Sequence, residues 1–394
     1  MPKPAPSPIP RVISRDEARA YLVGQLALGA PRFPTGARGV RALLRHLRCI
    51  QLDPLDPLGT NADLVALARV DGIRRGDVIR HLYPGHAFEH FAKERCLLPA
   101  SAFPHYREQA AETPWWRLGD RLERLPLGVL ERVLAEVAAH GPLTVDDLGD
   151  HGRVEPIDWS GWKGTARAAA MAIEVLWTRC RVVVCGRRDG ARLYDVPARA
   201  LPRVAAARPA EDFGRWALLE RIEAAGLLAR AGGPHWSMLS GVRTSPVPEA
   251  LLAERAIEAV LVEGSARPYL APAGFLARRF PPPDGRMRIL GPLDPLLWDR
   301  ALVRHAFGFD YVWEVYKPAA QRRWGWYVCP LLQKGRLVGR IEGRLAGGVL
   351  EVPRVWAEDR AAFDQRALDA ALERHAAACG ARRVKRGRRL RQNP

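Results

Sequence analysis

The chain has 394 residues, enough for two to four domains, and at 48% hydrophobic and 26% charged its composition is globular. Lys and Arg number 61 against 43 Asp and Glu, a formal net charge of +18 that favours a polyanion as partner, nucleic acid before an anionic membrane. No apolar run is long enough to span a bilayer, since the longest, Ala168–Trp177, is interrupted by Glu174, and no membrane partner is expected.

Residues Met1–Pro10 place proline at every second position, lack the apolar centre of a signal peptide, and read as a disordered lead of a cytoplasmic protein. Ser14 and Glu17 have the spacing of a capping box and predict a helix over Arg15–Leu28. A Pro/Gly-rich loop follows, then an amphipathic helix over Val40–Leu47 that leads through Arg48-Cys49-Ile50 into Gln51-Leu52-Asp53. An extended chain alternates faces, so Gln51 and Asp53 are expected to point one way and Ile50 and Leu52 the other. Pro54 disfavours a helical conformation at Asp53 and supports the extended reading. A neighbouring amide and carboxylate would hold a water and stabilise a nearby cation. The competing reading is structural: two Asp-Pro turns around a buried strand end. Asn61–Val70 and Arg75–Leu82 are expected as further short helices.

Trp115-Trp116 precedes the next helix and is expected in a core between domains. Leu127, Leu130, Val133, Leu134 and Val137 then share one helical face that ends at Gly141-Pro142. Thr144 caps a short helix over Val145–Leu148, and a loop rich in Trp and Gly leads to a longer helix over Thr165–Arg179. Arg181–Cys185 and Arg192–Val196 are strands joined at Asp189-Gly190, a strong two-residue hairpin signal. Three helices and a hairpin make a winged helix. Phe213–Leu228 opens a similar module, with Val247–Ala256 helical and Ala259–Glu263 with Pro268–Leu270 as its wing. After a Pro-rich linker over Arg279–Arg286, strands are predicted at Tyr311–Lys317, Gly325–Leu332, Arg336–Arg344 and Val349–Val355, forming a compact antiparallel barrel. Asp359–Cys379 returns to helix, and Arg382–Arg391 reads as a flexible basic tail.

In a winged helix the third helix lies at a groove and the hairpin tip touches the backbone. The residues so placed are Lys163 and Arg167 at the helix start, and Arg187, Arg188 and Arg192 on the wing. They would contact phosphates, which set register and carry no sequence information; the alternative is a solvated Arg-rich surface. Trp159 and Trp162 precede that helix, where they would either stack on a base or sugar or pack under the wing. Tail residues Arg382, Arg383, Lys385, Arg386, Arg388, Arg389 and Arg391 would strengthen binding without selecting a site. Six Cys residues form no Cys-x-x-Cys pair and read as reduced thiols, with no metal. No Walker loop, dinucleotide fingerprint, zincin pattern or nucleophile elbow occurs, so no cofactor is expected.

These residues together resemble the AlkZ/YcaQ group of bacterial winged-helix DNA glycosylases, in the subgroup with a Gln-x-Asp motif. The likeness rests on Gln51-Leu52-Asp53, Gly141-Pro-Leu-Thr144, Trp159-x-x-Trp162-Lys163, Gly186-Arg187, Arg192-x-Tyr194-Asp195 and Leu201-Pro202. Its longest stretches are Gly291-Pro-Leu-Asp-Pro-Leu-Leu-Trp-Asp-Arg300, Phe309-Asp310-Tyr311, Arg322-Arg323-x-Gly325-x-Tyr327 and Leu337-Val338-Gly339-Arg340. The resemblance implies an α+β fold of tandem winged helices with a carboxy-terminal antiparallel barrel-like domain. The expected regions are a lead at residues 1–13, winged helices at 14–115, 116–205 and 206–280, the barrel at 287–380 and a basic tail at 381–394. It implies excision of N7-alkylated purines and unhooking of interstrand crosslinks in double-stranded DNA, without cofactor. Gln51 would orient a water and Asp53 would activate it or stabilise the sugar cation, while Arg322 and Arg323 join the DNA-binding set. Family members often carry a His shortly after the motif and a His-Glu pair further on; here the stretches read Gly59-Thr-Asn-Ala-Asp63 and Lys93-Glu94. The alternative is a non-catalytic winged-helix DNA-binding protein, a regulator or damage sensor, which the missing His residues favour. No dimerisation helix is evident, and a monomer located at the nucleoid is expected.

Overall fold

The structure is a computed structural model that describes residues 10–113, 117–157, 164–359, 361–387 and 390–392. Trp115, Trp116, Trp159, Trp162, Lys163, Arg388 and Arg389 lie outside the described residues. The chain divides into two units, one built from residues up to 78 and from 217 onward, the other from residues 79–216. The class is mixed α+β.

In the first unit the capping box forms as the spacing predicts. Ser14 Oγ accepts from the backbone of Glu17 at 3.1 Å, and the Glu17 carboxylate accepts from Ser14 N at 2.8 Å. The helix runs Arg15–Gln25 and ends earlier than expected, because Ala27 turns into the left-handed region at φ 56°. The next helix, Gly36–Leu47, buries Val40, Leu43, Leu44 and Leu47 at core spacing. It begins a turn before Val40. Gly39 makes that possible, since a Cβ there would lie 1.9 Å from the Pro34 carbonyl oxygen.

Two sheets complete this unit. One has four strands and contains the hairpin Ile257–Val262 antiparallel to Pro268–Pro272; Arg11–Ile13 joins it in parallel and Leu228–Ala229 pairs with the other edge. The other runs Arg288–Ile289, Val328–Gln333, Arg336–Ala346, Val349–Ala357 and then the tail strands. It is an open, curled half-barrel rather than a fully antiparallel barrel, because Arg383–Arg386 and Leu390–Gln392 both pair in parallel with Val349–Ala357. The tail is therefore held in the sheet over these residues. Pro353 has no N–H to give that ladder, and Gly387 bridges the gap, donating to Val352 O at 2.9 Å. A Cβ on Gly387 would lie 2.3 Å from Pro353 O. Helix Gln365–Ala378 packs Leu368, Ala371, Leu372 and Ala376 onto Ile341, Leu350, Val352 and Val355 of this sheet.

Tyr311–Lys317, expected as a strand, is not one. The Glu314 carboxylate takes the backbone N–H groups of Arg323 and Trp324, at 3.1 and 2.7 Å, and folds the segment back on itself instead of leaving it to a ladder. The following strand consequently starts at Val328 rather than Gly325.

The second unit holds the hairpin Ala87–Ala92 with Glu94–Pro99, helices Phe103–Gln109, Leu118–Arg124, Val129–His140 and Ala168–Thr178, and the hairpin Val183–Arg188 with Ala191–Asp195. Asp189 and Gly190 have φ of 52° and 83°, as a mirror-image two-residue turn requires. Thr144 closes a capping box with Asp147 around a single 3-10 turn, Val145–Asp147. Leu127, expected on the buried face, is 99% exposed: Gly128 turns the chain and the helix begins at Val129, which is buried in its place. Residues 165–179 are helical only over Ala168–Thr178, since Ala166–Arg167 pairs antiparallel with Arg153–Val154.

Candidate functional site

Gln51 ends the short strand Ile50–Gln51 and is buried, while Asp53 lies two residues beyond and is half-buried. The strand stops before Leu52, so no ladder carries the predicted alternation through to Asp53. Its carboxylate is oriented by a turn: Asp53 Oδ1 accepts from Leu55 N at 2.9 Å. The Asp-Pro turn and the partly accessible carboxylate thus coexist. Burial raises the Asp53 pKa, and the Leu55 N–H acts against that rise.

Every turn of the loop that follows is braced. Asn61 Nδ2 donates to Gln51 O at 2.8 Å, and Asn61 Oδ1 accepts from Leu293 N at 3.2 Å. A Cβ on Gly291 would lie 2.6 Å from Asn61 Oδ1, so the glycine of Gly291-Pro-Leu-Asp294 makes room for this bridge. Asp294 forms a fully buried bidentate pair with Arg69 at 2.7 and 2.9 Å. Asp56 pairs with Arg75, whose backbone N–H donates to Ala378 O at 3.0 Å. His375 donates to Leu58 O at 2.7 Å, and Leu345 N donates to Pro57 O at 2.6 Å. Thr60 caps the helix by accepting from Asp63 N, and the Asp63 carboxylate accepts from Thr60 Oγ1 at 2.8 Å and from Gly76 N at 2.9 Å. Residues 51–63 are fixed to the half-barrel and to its covering helix on both sides.

The Tyr327 ring stands beside this loop. Its hydroxyl is pushed far up by burial, then by Cys329, Tyr311, Asp53 and Asp56 in turn. Leu55 and Trp313 pack against the cluster that contains Tyr327. Among the described residues no group of His, Cys, Asp or Glu is arranged to hold a metal ion.

The remaining candidates are distributed over both units. Arg187 and Arg192 converge on the buried carboxylate of Glu89, with Arg192 Nε 3.3 Å from Glu89 Oε2 and Tyr83 Oη donating to Glu89 Oε1 at 3.1 Å. Arg188 pairs with Asp147 and reaches Thr144 Oγ1 at 3.3 Å. Arg167 immediately precedes its helix and binds the carbonyls of Val145, at 3.0 Å, Leu148 and Gly149. In the other unit, Arg322 donates to Lys317 O at 2.7 Å, and the Arg323 guanidinium lies 4.8 Å from the Trp324 ring centre. Lys93 and Glu94 form the turn of the first hairpin, with Lys93 buried and Glu94 at φ 58°.

Sequence reasoning missed Asn61 as a brace and Glu314 as the organiser of its segment. Each works through backbone groups far along the chain, and no local pattern announces them.

The chain belongs to the AlkZ-like DNA glycosylase family, whose model matches residues 44–378. Among solved structures it is similar to the DNA glycosylase AlkZ of Streptomyces sahachiroi, with a TM-score of 0.60 over 95% of this chain and 99% of that one, at 17% identity.

Proposed function

We propose that this protein is a monofunctional DNA glycosylase that hydrolyses the N-glycosidic bond of N7-alkylated purines and unhooks interstrand crosslinks in double-stranded DNA. The observation that carries the reading is the half-buried Asp53 carboxylate, set two residues from Gln51 on a braced loop in a member of this family. An N7-alkylguanine already carries positive charge, so the base leaves without a general acid. The barrier is then the sugar cation, which one fixed carboxylate stabilises in a partly desolvated site. Gln51 holds the attacking water and Asp53 accepts its proton. No cofactor is needed for this chemistry.

Lys93 is the amine that a lyase step would call on, and its burial favours simple hydrolysis. Tandem winged helices over residues 14–115, 116–205 and 206–280, with the half-barrel beyond, would carry the duplex on a monomer. Trp162, Lys163, Arg167, Arg187, Arg188, Arg192, Arg322 and Arg323 remain the proposed DNA contacts. Of the wing residues, Arg188 is the better placed, being half-exposed at its side chain, whereas Arg187 is largely spent on Glu89.

The test is base release from a duplex containing N7-methylguanine. Wild-type protein is expected to release the base, and Asp53→Asn to be slower on the order of 10²–10³-fold with duplex binding intact. An Asp53→Asn variant as active as wild type would sink the assignment. No release by either would favour a non-catalytic binder.

A further inference from the structure

Between Phe309 and Tyr327 the chain is irregular but tightly fixed. Besides the N–H groups of Arg323 and Trp324, Glu314 accepts from Gly325 N at 3.4 Å and Lys317 Nζ at 2.9 Å. Glu342 receives Trp326 N at 2.9 Å and Arg354 Nε at 2.6 Å. A Cβ on Gly325 would lie 2.4 Å from Glu342 Oε1, so the backbone must approach this carboxylate closely.

This rigid segment displays aromatic surface. Tyr316 is 84% exposed and Trp326 is 40% exposed. Their rings are joined inward through two others: Tyr316 to Trp313 at 5.7 Å between centres, Trp313 to Tyr327 at 6.2 Å, and Tyr327 to Trp326 at 6.2 Å. The Trp313 indole N–H has no acceptor among the described residues, so packing alone places that ring. Tyr327 belongs to the cluster on which Leu55 packs, two residues after Asp53 in the proposed catalytic loop. A chain of ring contacts therefore links the two exposed rings, through Trp313 and the buried Tyr327, to the cluster that supports the loop after Asp53.

Exposed aromatic rings on a braced backbone present preformed faces to a flat ligand. A planar base fits such faces, and a cationic base fits them better, because the ring faces are negative. We propose that Tyr316 and Trp326 form a stacking platform for the N7-alkylated purine, holding the cationic base beside Asp53 and selecting it over neutral purines. The proposal rests on the glycosylase reading above and names the residues that set its substrate preference.

The experiment separates the two. In the Asp53→Asn background, binding is compared for duplexes carrying N7-methylguanine or guanine at one position, with and without Trp326→Ala and Tyr316→Ala. Preference for the alkylated duplex is expected, and each alanine should reduce it about tenfold while affinity for the undamaged duplex and the melting temperature hold. Trp326→Phe should restore most of the preference. With Asp53 intact, the alanine variants should raise the concentration for half-maximal base release more than they lower the maximal rate. Equal loss on both duplexes would make the surface a general DNA contact and overturn the proposal, as would wild-type preference in the alanine variants. Failure of the glycosylase reading shows separately, as absent base release by the wild-type protein.

Discussion

Asp53 and Asn61 show how differently two site residues are written in a sequence. Asp53 is visible because Gln51-Leu52-Asp53 breaks an apolar run with two polar groups and a proline follows. Asn61 is invisible because its partners are the carbonyl of Gln51 and the N–H of Leu293, the latter 232 residues away. Replacing Asn61 by Ala strands both groups and is expected to cost about 1–3 kcal/mol. It should also slow base release several-fold by loosening Gln51, measured by thermal melting and single-turnover kinetics on the same protein. The proposed mechanism assigns the pH dependence to Asp53. Its pKa is raised by burial and the mechanism needs the ionised form, so activity should fall on acidification at a pH above that of an ordinary aspartate. A rate–pH profile whose acid limb lies at or below the ordinary value of 3.8 would contradict this.

At the scale of elements, sequence pattern served well for caps, tight turns and most apolar stripes, Leu127 being an exception. The Ser14 capping box, the Asp189-Gly190 turn and the apolar stripe of Gly36–Leu47 are local statements and form as read. Tyr311–Lys317 misleads because Tyr311, Trp313 and Val315 alternate as a strand would, while the decisive residue is the polar one between them. Burial pushes the Glu314 pKa up, but the donors from Trp324, Lys317, Arg323 and Gly325 outweigh it and the net shift is downward. A depressed carboxylate pKa stabilises the fold above the unfolded value and loses that contribution as pH falls through the folded one. Glu314→Gln should therefore lower the melting temperature at pH 7, while at pH 3 it should differ little from wild type. Scanning calorimetry at both pH values tests this.

For the whole molecule, the charge of +18 overstates the free positive surface, because arginine after arginine is paired with a carboxylate or a carbonyl. That accounting is absent from composition, which records charge and not its partners. About eight phosphate contacts would give a log–log salt slope near −7 for duplex binding. Arg187→Ala is expected to leave that slope nearly unchanged and to destabilise the fold instead, by removing the closer of the two arginines paired with the buried Glu89 carboxylate. Salt titration of the variant and of wild type decides it. Buried histidines weaken the fold in acid. Burial, as the largest cause, holds His46 and His90 near pKa 4, below the ordinary 6.5. As pH falls from 6.5 toward 4 the unfolded chain takes protons that the folded chain refuses, so stability should decline across that window.

The unit that carries Asp53 is assembled from two stretches of chain, with residues 79–216 inserted between them. The loop at residues 51–63 leans on Leu293, Leu345, His375 and Ala378, all of which leave the ribosome long after it. During synthesis the inserted unit can fold while this loop still waits for its supports. A nascent protein thus carries the proposed catalytic motif unbraced until residue 378 has been made, and a ribosome stalled before residue 375 would display Gln51-Leu52-Asp53 without the scaffold that fixes it.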